Sequence, residues 1–436
     1  MEPEMLFANI GILDDTLHYQ ANRFVGVRDG KIACICDTEP QEDFGERYDG
    51  TGKLLMPGFY NAHSHSAMTL LRGYAEDLSL SDWLNKKVFP FEARLTDEDI
   101  YNGTLLAMAE MLRFGVVSTT DMYFGGEANS RAVLEAGAKM NLSLAVTCFD
   151  DRAAHELPQY QETLGMLDSF HNAGDGRLKL DLAIHAEYTS TPKVAAGMAE
   201  LAARTGLRMH LHLSETRDEQ EACKARHGGK TPARYFYDLG VFDAPTTAAH
   251  CVWLEGEDFS LLREKGVTVA SCPVSNLKLA SGFCPAPRLL QEGVSVALGT
   301  DGVASNNSHD LFEEIKLCAL LQKGVSGDPC QMPAPDALAC ATVQGAFAQG
   351  REEECGRLRT GMDADLILLD FDKPWLQPVH SVISSLCYTA RGQDVCLTMV
   401  KGKILYENGA FHTIDVEKAR REVEGYALPR ILGAHA

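Results

Sequence analysis

Between Met56 and Gly361 short apolar runs rich in β-branched residues alternate with stretches whose apolar residues recur at helical spacing, and this alternation constrains the fold more than any other feature. Candidate strands end near Ala62, Asp121, Phe149, His185, His212, His250, Cys272 and Asp301, which makes eight. Segments 96–114 and 193–205 between them predict helices, each followed by a glycine stop, Gly115 and Gly206. Eight parallel strands separated by helices imply an α/β fold, a (β/α)8 TIM-like barrel.

A barrel occupies about 250 residues, so a chain of 436 has room for a second module. The front of the chain reads as short strands, Phe24-Val-Gly-Val27 and Lys31-Ile-Ala-Cys-Ile-Cys36, joined by the turn pair Asp29-Gly30. The back repeats that texture in Ala364-Asp-Leu-Ile-Leu-Leu-Asp370, Val395-Cys-Leu-Thr-Met-Val400 and Ile404-Leu-Tyr406. Neither end holds enough strands for a sheet with its own core, so the two are expected to pair into one discontinuous β-sandwich domain. The expected division is 1–55 plus 362–436 for that domain and 56–361 for the barrel, with residues 415–425 as a surface helix.

Composition narrows the partners. Lys+Arg 40 against Asp+Glu 61 leaves a formal charge of −21, which opposes approach to nucleic acids and anionic membranes, and no basic stripe offsets it. A small-molecule substrate is expected, and a homo-oligomer is compatible with the chain. The 13 cysteines are odd in number and form no C-x-x-C pair, so they are expected to be reduced core thiols. Acids at Glu2 and Glu4 stand where a secretory signal needs basic residues, and no apolar run reaches membrane-spanning length, so a cytoplasmic location is expected.

Barrel active sites lie at the C-terminal rim of the strands, where residues distant in sequence converge. His63 and His65 close the first strand, His185 the fourth, His212 and Glu215 the fifth, His250 the sixth and Asp301 the eighth. In His63-Ser-His65 the extended-chain period of two points both imidazoles to one side, as two ligands of one ion require, although two polar residues at a strand end would look the same. His210 shares a face with His212 but lies one layer deeper, where a hydrogen-bonded core histidine is the ordinary reading. Glu215 follows Ser214, which resembles a helix cap, and Asp301 sits among small neighbours in Gly299-Thr-Asp-Gly302. His63, His65, His212 and Asp301 together fit one divalent cation, leaving Glu215 and His250 for proton transfer, with Asp301 able to share in it. Zinc is the first choice, and the same donors suit iron or manganese, nickel or copper. A bridged pair of ions would want a lysine on a central strand, but the fourth strand has Lys179 only at its start, which favours one metal.

The chain resembles the amidohydrolase superfamily, and within it the methylthioadenosine/S-adenosylhomocysteine deaminases. The resemblance spans nearly the whole chain and rests on Met56-Pro-Gly-Phe-Tyr-Asn-Ala-His-Ser-His65, Leu70-Leu-Arg-Gly-Tyr74 with Trp83, His185-Ala-Glu187, His212-Leu-Ser-Glu215, Gly299-Thr-Asp-Gly302, Ala304-Ser-Asn-Asn307 and Gly361-Met-Asp-Ala-Asp365. It implies hydrolytic deamination of an adenine nucleoside, with His63, His65, His212 and Asp301 on the metal and Glu215 and His250 working on protons. It also implies that Trp83, Glu92 and His185 contact the nucleoside, and that an arginine after the third strand, for which Arg152 is the candidate, lies near the substrate tail. The indole of Trp83 offers a flat face for a purine, and the Glu92 carboxylate could accept from both ribose hydroxyls; the alternatives are a packed aromatic and a surface acid opposite Arg94 or Lys87. Other hydrolases on the same scaffold stay open: guanine, oxidised-guanine and cytosine deaminases and triazine chlorohydrolases. So does a non-catalytic binding barrel with structural histidines.

Overall fold

A computed structural model describes residues 4–433. Its centre is an eight-stranded parallel sheet of Phe59–Ser64, Val116–Met122, Lys139–Val146, Leu178–Ile184, Met209–Leu213, Thr246–His250, Thr268–Ser271 and Val296–Leu298, each paired with the next in chain order. The first and eighth strands meet through specific bonds rather than a regular ladder. Asp301 N–H donates to the His63 carbonyl at 2.9 Å, while the Asn61 side chain accepts from Thr300 N–H at 3.0 Å and donates to Thr300 Oγ1 at 2.7 Å. Gly299 permits this approach, since a Cβ there would lie 2.8 Å from the His63 Cβ and 2.9 Å from its backbone N.

The third strand stops at Val146, short of the expected Phe149. Beyond it the Cys148 N–H is taken by the Thr189 carbonyl outside the ladder, and Phe149 turns outward, 77% exposed. The helices match the expected segments closely. Asp97–Arg113 opens on a capping box between Thr96 and Asp99, and Pro192–Thr205 ends on Gly206 in the left-handed conformation.

Both chain ends contribute to one nine-stranded, mostly antiparallel sheet, joined where Lys53–Pro57 pairs antiparallel with Leu366–Asp370. Its front arm turns at Asp29-Gly30, both with positive φ, as a two-residue hairpin loop requires. Its two arms fold over a shared core that includes Phe7, Ile12 and Val25 from the front and Leu366, Leu368 and Met399 from the back. The alternate residues Ile367 and Leu369 pack into the barrel's core instead. Two buried faces explain why Leu366-Ile-Leu-Leu369 is apolar without interruption.

The C-terminal helix departs from its expected surface role. Val416–Glu422 continues through Val423–Ala427 into Leu428–Leu432, and Val423, Ala427 and Ile431 are buried in a cluster with Trp83, Leu84 and Phe91. An apolar residue every fourth position is enough to dock it on the excursion that follows the first barrel strand. Nine of the 13 cysteines are buried and all are unpaired, but Cys330 is exposed and Cys34, Cys36 and Cys396 are half-buried, so not every thiol is in a core. Among the described residues no helix is long and apolar enough to cross a membrane.

Candidate metal centre and active-site cavity

Strand ends bring the histidines to one point. Ligand atoms of His63, His65 and His212 all lie within 4.8 Å of one another, as do those of His63, His250 and Asp301. The outer nitrogen of each ring is held by the scaffold. His65 Nδ1 bonds the Met122 carbonyl at 2.5 Å, His212 Nδ1 the His185 carbonyl at 2.7 Å, and His63 Nδ1 the His210 Nε2 at 2.9 Å. A ring that donates from Nδ1 to a carbonyl presents a bare Nε2 lone pair. The Nε2 atoms of His65 and His212 face each other at 3.4 Å, and His63 Nε2 is buried without a hydrogen-bond partner. Lone pairs so opposed repel unless a cation lies between them.

Asp301 completes the set, its Oδ1 at 3.2 Å from His65 Nε2 and 3.5 Å from His63 Nε2. These separations match the edge of about 3.4 Å for ligands ~2.0–2.1 Å from a tetrahedral ion. Burial disfavours charge on the rings, lowering His63 to about 4 and His212 well below the ordinary range, the neutral forms that bind metal. At His65 burial is outweighed by the Asp301 carboxylate, which raises it to about 9, so the Nε2 proton held 3.2 Å from Asp301 Oδ1 is the one a bound cation would replace. The donor set therefore fits a divalent cation. His210, fully buried, touches Ser143 Oγ at 3.3 Å and supports His63 from below. Asp301 Oδ2 accepts from Ser275 Oγ at 2.6 Å and Ser305 Oγ at 3.1 Å, which orients the carboxylate.

Three of these strand-end loops carry backbone strain. Ser214, His250 and Asp301 have φ of 48°, 71° and 62°, a region non-glycine residues avoid. The strain at Ser214 is offset by Glu219, whose two carboxylate oxygens accept from the backbone N–H groups of Ser214 at 3.1 Å and Glu215 at 2.6 Å. Thr216, not Ser214, caps the following helix Arg217–Arg226. Glu215 is thereby turned into the site, with Oε2 3.7 Å from His250 Nε2, and burial raises its carboxyl pKa. His250 is fixed through Nδ1 by Asn276 Oδ1 at 2.9 Å.

A cavity of about 250 Å³ opens over this cluster, and His65, His185, His212, Glu215, His250 and Asp301 all reach it. The excursion after the first strand supplies Trp83 and Glu92 to its wall, while Tyr123 comes from the end of the second strand. Trp83 Nε1, Glu92 Oε1 and the Tyr123 hydroxyl are buried there without hydrogen-bond partners in the protein. Buried polar groups are seldom left unpaired, so three in one wall mark a place where a polar ligand bonds. His185 Nδ1 contacts Thr189 Oγ1 at 3.0 Å. Arg94 and Lys87 turn elsewhere, to the Ile431 carbonyl and over the Tyr74 ring, so Glu92 is not their surface partner. Arg152 is outside the cavity: it is exposed, with its guanidinium 3.0 Å from Asp150. Tyr123, Thr147, Gln159 and Tyr188 line the cavity without having been singled out in the sequence.

Comparison with known proteins agrees with this geometry. The model of the Amidohydrolase family matches residues 54–405. The chain belongs to the amidohydrolase family. Among its fellow amidohydrolases, 5-methylthioadenosine/S-adenosylhomocysteine deaminase of Moorella thermoacetica is 44% identical over 95% of this chain and 93% of its own. The 5'-deoxyadenosine deaminase of Methanosarcina mazei is 42% identical over 92% of this chain and 91% of its own. An adenosine deaminase from Xanthomonas campestris, solved with bound zinc, superposes with a TM-score of 0.91 at 31% identity and covers 98% of both chains. The atrazine chlorohydrolase of Arthrobacter aurescens reaches a TM-score of 0.89 over 97% of this chain and 99% of its own, but at 21% identity that likeness speaks to the amidohydrolase fold alone.

Proposed function

We propose that this amidohydrolase is a hydrolytic deaminase that converts the adenine of adenosine-type nucleosides, 5'-methylthioadenosine, S-adenosylhomocysteine or 5'-deoxyadenosine among them, to hypoxanthine with release of ammonia. The observation that carries the reading is the pairing of a buried carboxyl, Glu215, with a converging histidine and aspartate cluster beneath a cavity walled by Trp83 and Glu92. Relatives named for adenine nucleosides support it. His63, His65, His212 and Asp301 would hold one divalent ion, zinc by preference, which supplies the Lewis acidity that makes a hydroxide available near neutral pH.

The chain's own residues do the rest. Burial raises the Glu215 carboxyl and so favours its acid form, suited to donate a proton to N1 of the purine as oxygen adds at C6. Asp301 and His250, the latter with Nε2 3.7 Å from Glu215 Oε2, are placed to take the attacking water's proton and pass it to the departing amino group. Glu215 takes back the proton left on the added oxygen, so that the C6–N bond breaks with loss of ammonia and C6 becomes a carbonyl. His185 contacts the base, Trp83 covers its face, and Glu92 accepts from the ribose hydroxyls. Ammonia release from a panel of adenine nucleosides, free adenine, guanine, cytosine and a chlorotriazine, together with elemental analysis, tests this. Turnover of the nucleosides with one metal per chain is the expected result. Faster turnover of a free base or the triazine, or full activity in chelated metal-free protein, would overturn it.

A further inference from the structure

The cavity's wall is a mixture of apolar and acidic groups. The segments following the second, third and fourth barrel strands contribute Phe124, Thr147, Gln159 and Tyr188, and apart from histidines and tyrosines its ionisable groups are the carboxyls of Glu92, Glu215 and Asp301. Among the described residues no lysine or arginine lines it. A ligand carboxylate brought into such a wall would lose its hydration without gaining a charged partner, beside three acids and in a chain of formal charge −21. A neighbouring groove shares Leu80, Leu84, Tyr188 and Leu279 with the cavity, but two of its cations are already engaged: Arg226 with Glu187, and Lys278 with Glu76 at 2.7 Å. Its Arg217 is exposed and lies over the Trp253 ring.

We propose that the site selects adenine nucleosides whose 5' substituent is uncharged, a methyl, hydroxymethyl or short thioether end, and discriminates against the amino-acid zwitterion of S-adenosylhomocysteine. This rests on the nucleoside-deaminase reading and narrows it. Thr147 and Gln159 are neutral hydrogen-bonding groups that accommodate a hydroxyl or thioether at no electrostatic cost, whereas a carboxylate needs a cation that neither supplies.

The test is a series at constant base and ribose. kcat/KM for ammonia release is measured on 5'-deoxyadenosine, 5'-methylthioadenosine, 5'-butylthioadenosine as a neutral group of similar bulk, and S-adenosylhomocysteine. The three neutral compounds are expected within ~10-fold of one another, and S-adenosylhomocysteine at least ~10²-fold below the butylthio compound, the scale of an unpaired buried polar group. Thr147→Arg or Gln159→Arg should raise the ratio of S-adenosylhomocysteine to methylthioadenosine turnover by ~10-fold; if neither variant folds, the wild-type series decides. S-adenosylhomocysteine turned over within tenfold of the butylthio compound would overturn the inference, and so would a butylthio compound as poor as S-adenosylhomocysteine, which would assign the selection to size. Absence of turnover on every nucleoside by metal-loaded protein would instead remove the deaminase reading.

Discussion

Glu215 and Glu92 are both carboxyls raised by burial, yet the proposed chemistry asks opposite forms of them. Glu215 must be protonated to give a proton to the ring, so Glu215→Gln should keep its metal and lose at least ~10²-fold in kcat, read from elemental analysis beside steady-state rates. Glu92, raised to about 7 mainly by burial, must be ionised to accept from two hydroxyls. Because its acid form prevails below that value, kcat/KM for a ribonucleoside should rise as pH climbs through about 7, and Glu92→Gln should flatten the rise. An unchanged limb in the variant would assign the titration to another group. Glu215 and the residues clustered around it were legible in the sequence because a strand-end position in a barrel is set by chain order alone, and His63, His65, His212, Glu215, His250 and Asp301 each stand at or just beyond a strand end. Glu92 and Trp83 were reached only through resemblance. Tyr123, Thr147, Gln159 and Glu219 carry no signal of their own, since what makes them matter is the loop geometry that aims them.

At the scale of elements, the segment bearing Trp83 and Glu92 is a chain of short helical turns from Leu80 to Glu92, too short to hold its shape unaided. Its rigidity comes from the C-terminal helix. Ile431 and Val423 pack against Trp83, Leu84 and Phe91, and hydrogen bonds run both ways, from Arg94 to the Ile431 carbonyl at 2.7 Å and from Arg430 to the Arg94 carbonyl at 2.9 Å. Ile431→Ala removes buried side-chain volume worth about 2–5 kcal/mol in a packed cluster. Because the metal ligands stand on other elements, the expected outcome is a raised KM for nucleoside with metal content unchanged and kcat reduced less than kcat/KM. Metal loss in this variant would show that the helix supports the barrel rim as a whole. The helical composition of residues 415–425 predicted a surface helix, but not its continuation to Leu432. Its docking partner was not legible either, because an amphipathic stripe records that a face is buried and not what buries it.

For the molecule as a whole, the barrel and the sheet built from both chain ends must keep one orientation while the rim opposite carries the chemistry. Much of that linkage runs through Lys139, which starts the third barrel strand and is 1% exposed. Its Nζ lies 2.8 Å from Asp363 and 2.6 Å from Asp365, in the segment that enters the sheet's back arm. Asp363 also meets Lys31 of the front arm at 3.2 Å, and Asp365 accepts from Tyr60 of the first barrel strand and from the Lys401 N–H. Although burial opposes its charge, the two aspartates hold Lys139 above the ordinary lysine range. Lys139→Ala would leave the buried Asp365 without a cation and Asp363 with only the exposed Lys31 and the more distant Lys401, so unfolding in urea should show a loss of about 3–5 kcal/mol. A well-packed apolar replacement of the pair, Lys139→Met with Asp365→Leu, should recover part of that loss, since the cost lies in the orphaned charge and not in the absence of a salt bridge. The residual folded protein should keep its metal and its KM for nucleoside, because the network lies at the N-terminal ends of the strands, a barrel's length from the site. If Lys139→Ala stayed within about 1 kcal/mol of wild type, the two units would be held by their shared apolar face alone, and the buried charges would be bystanders to the fold.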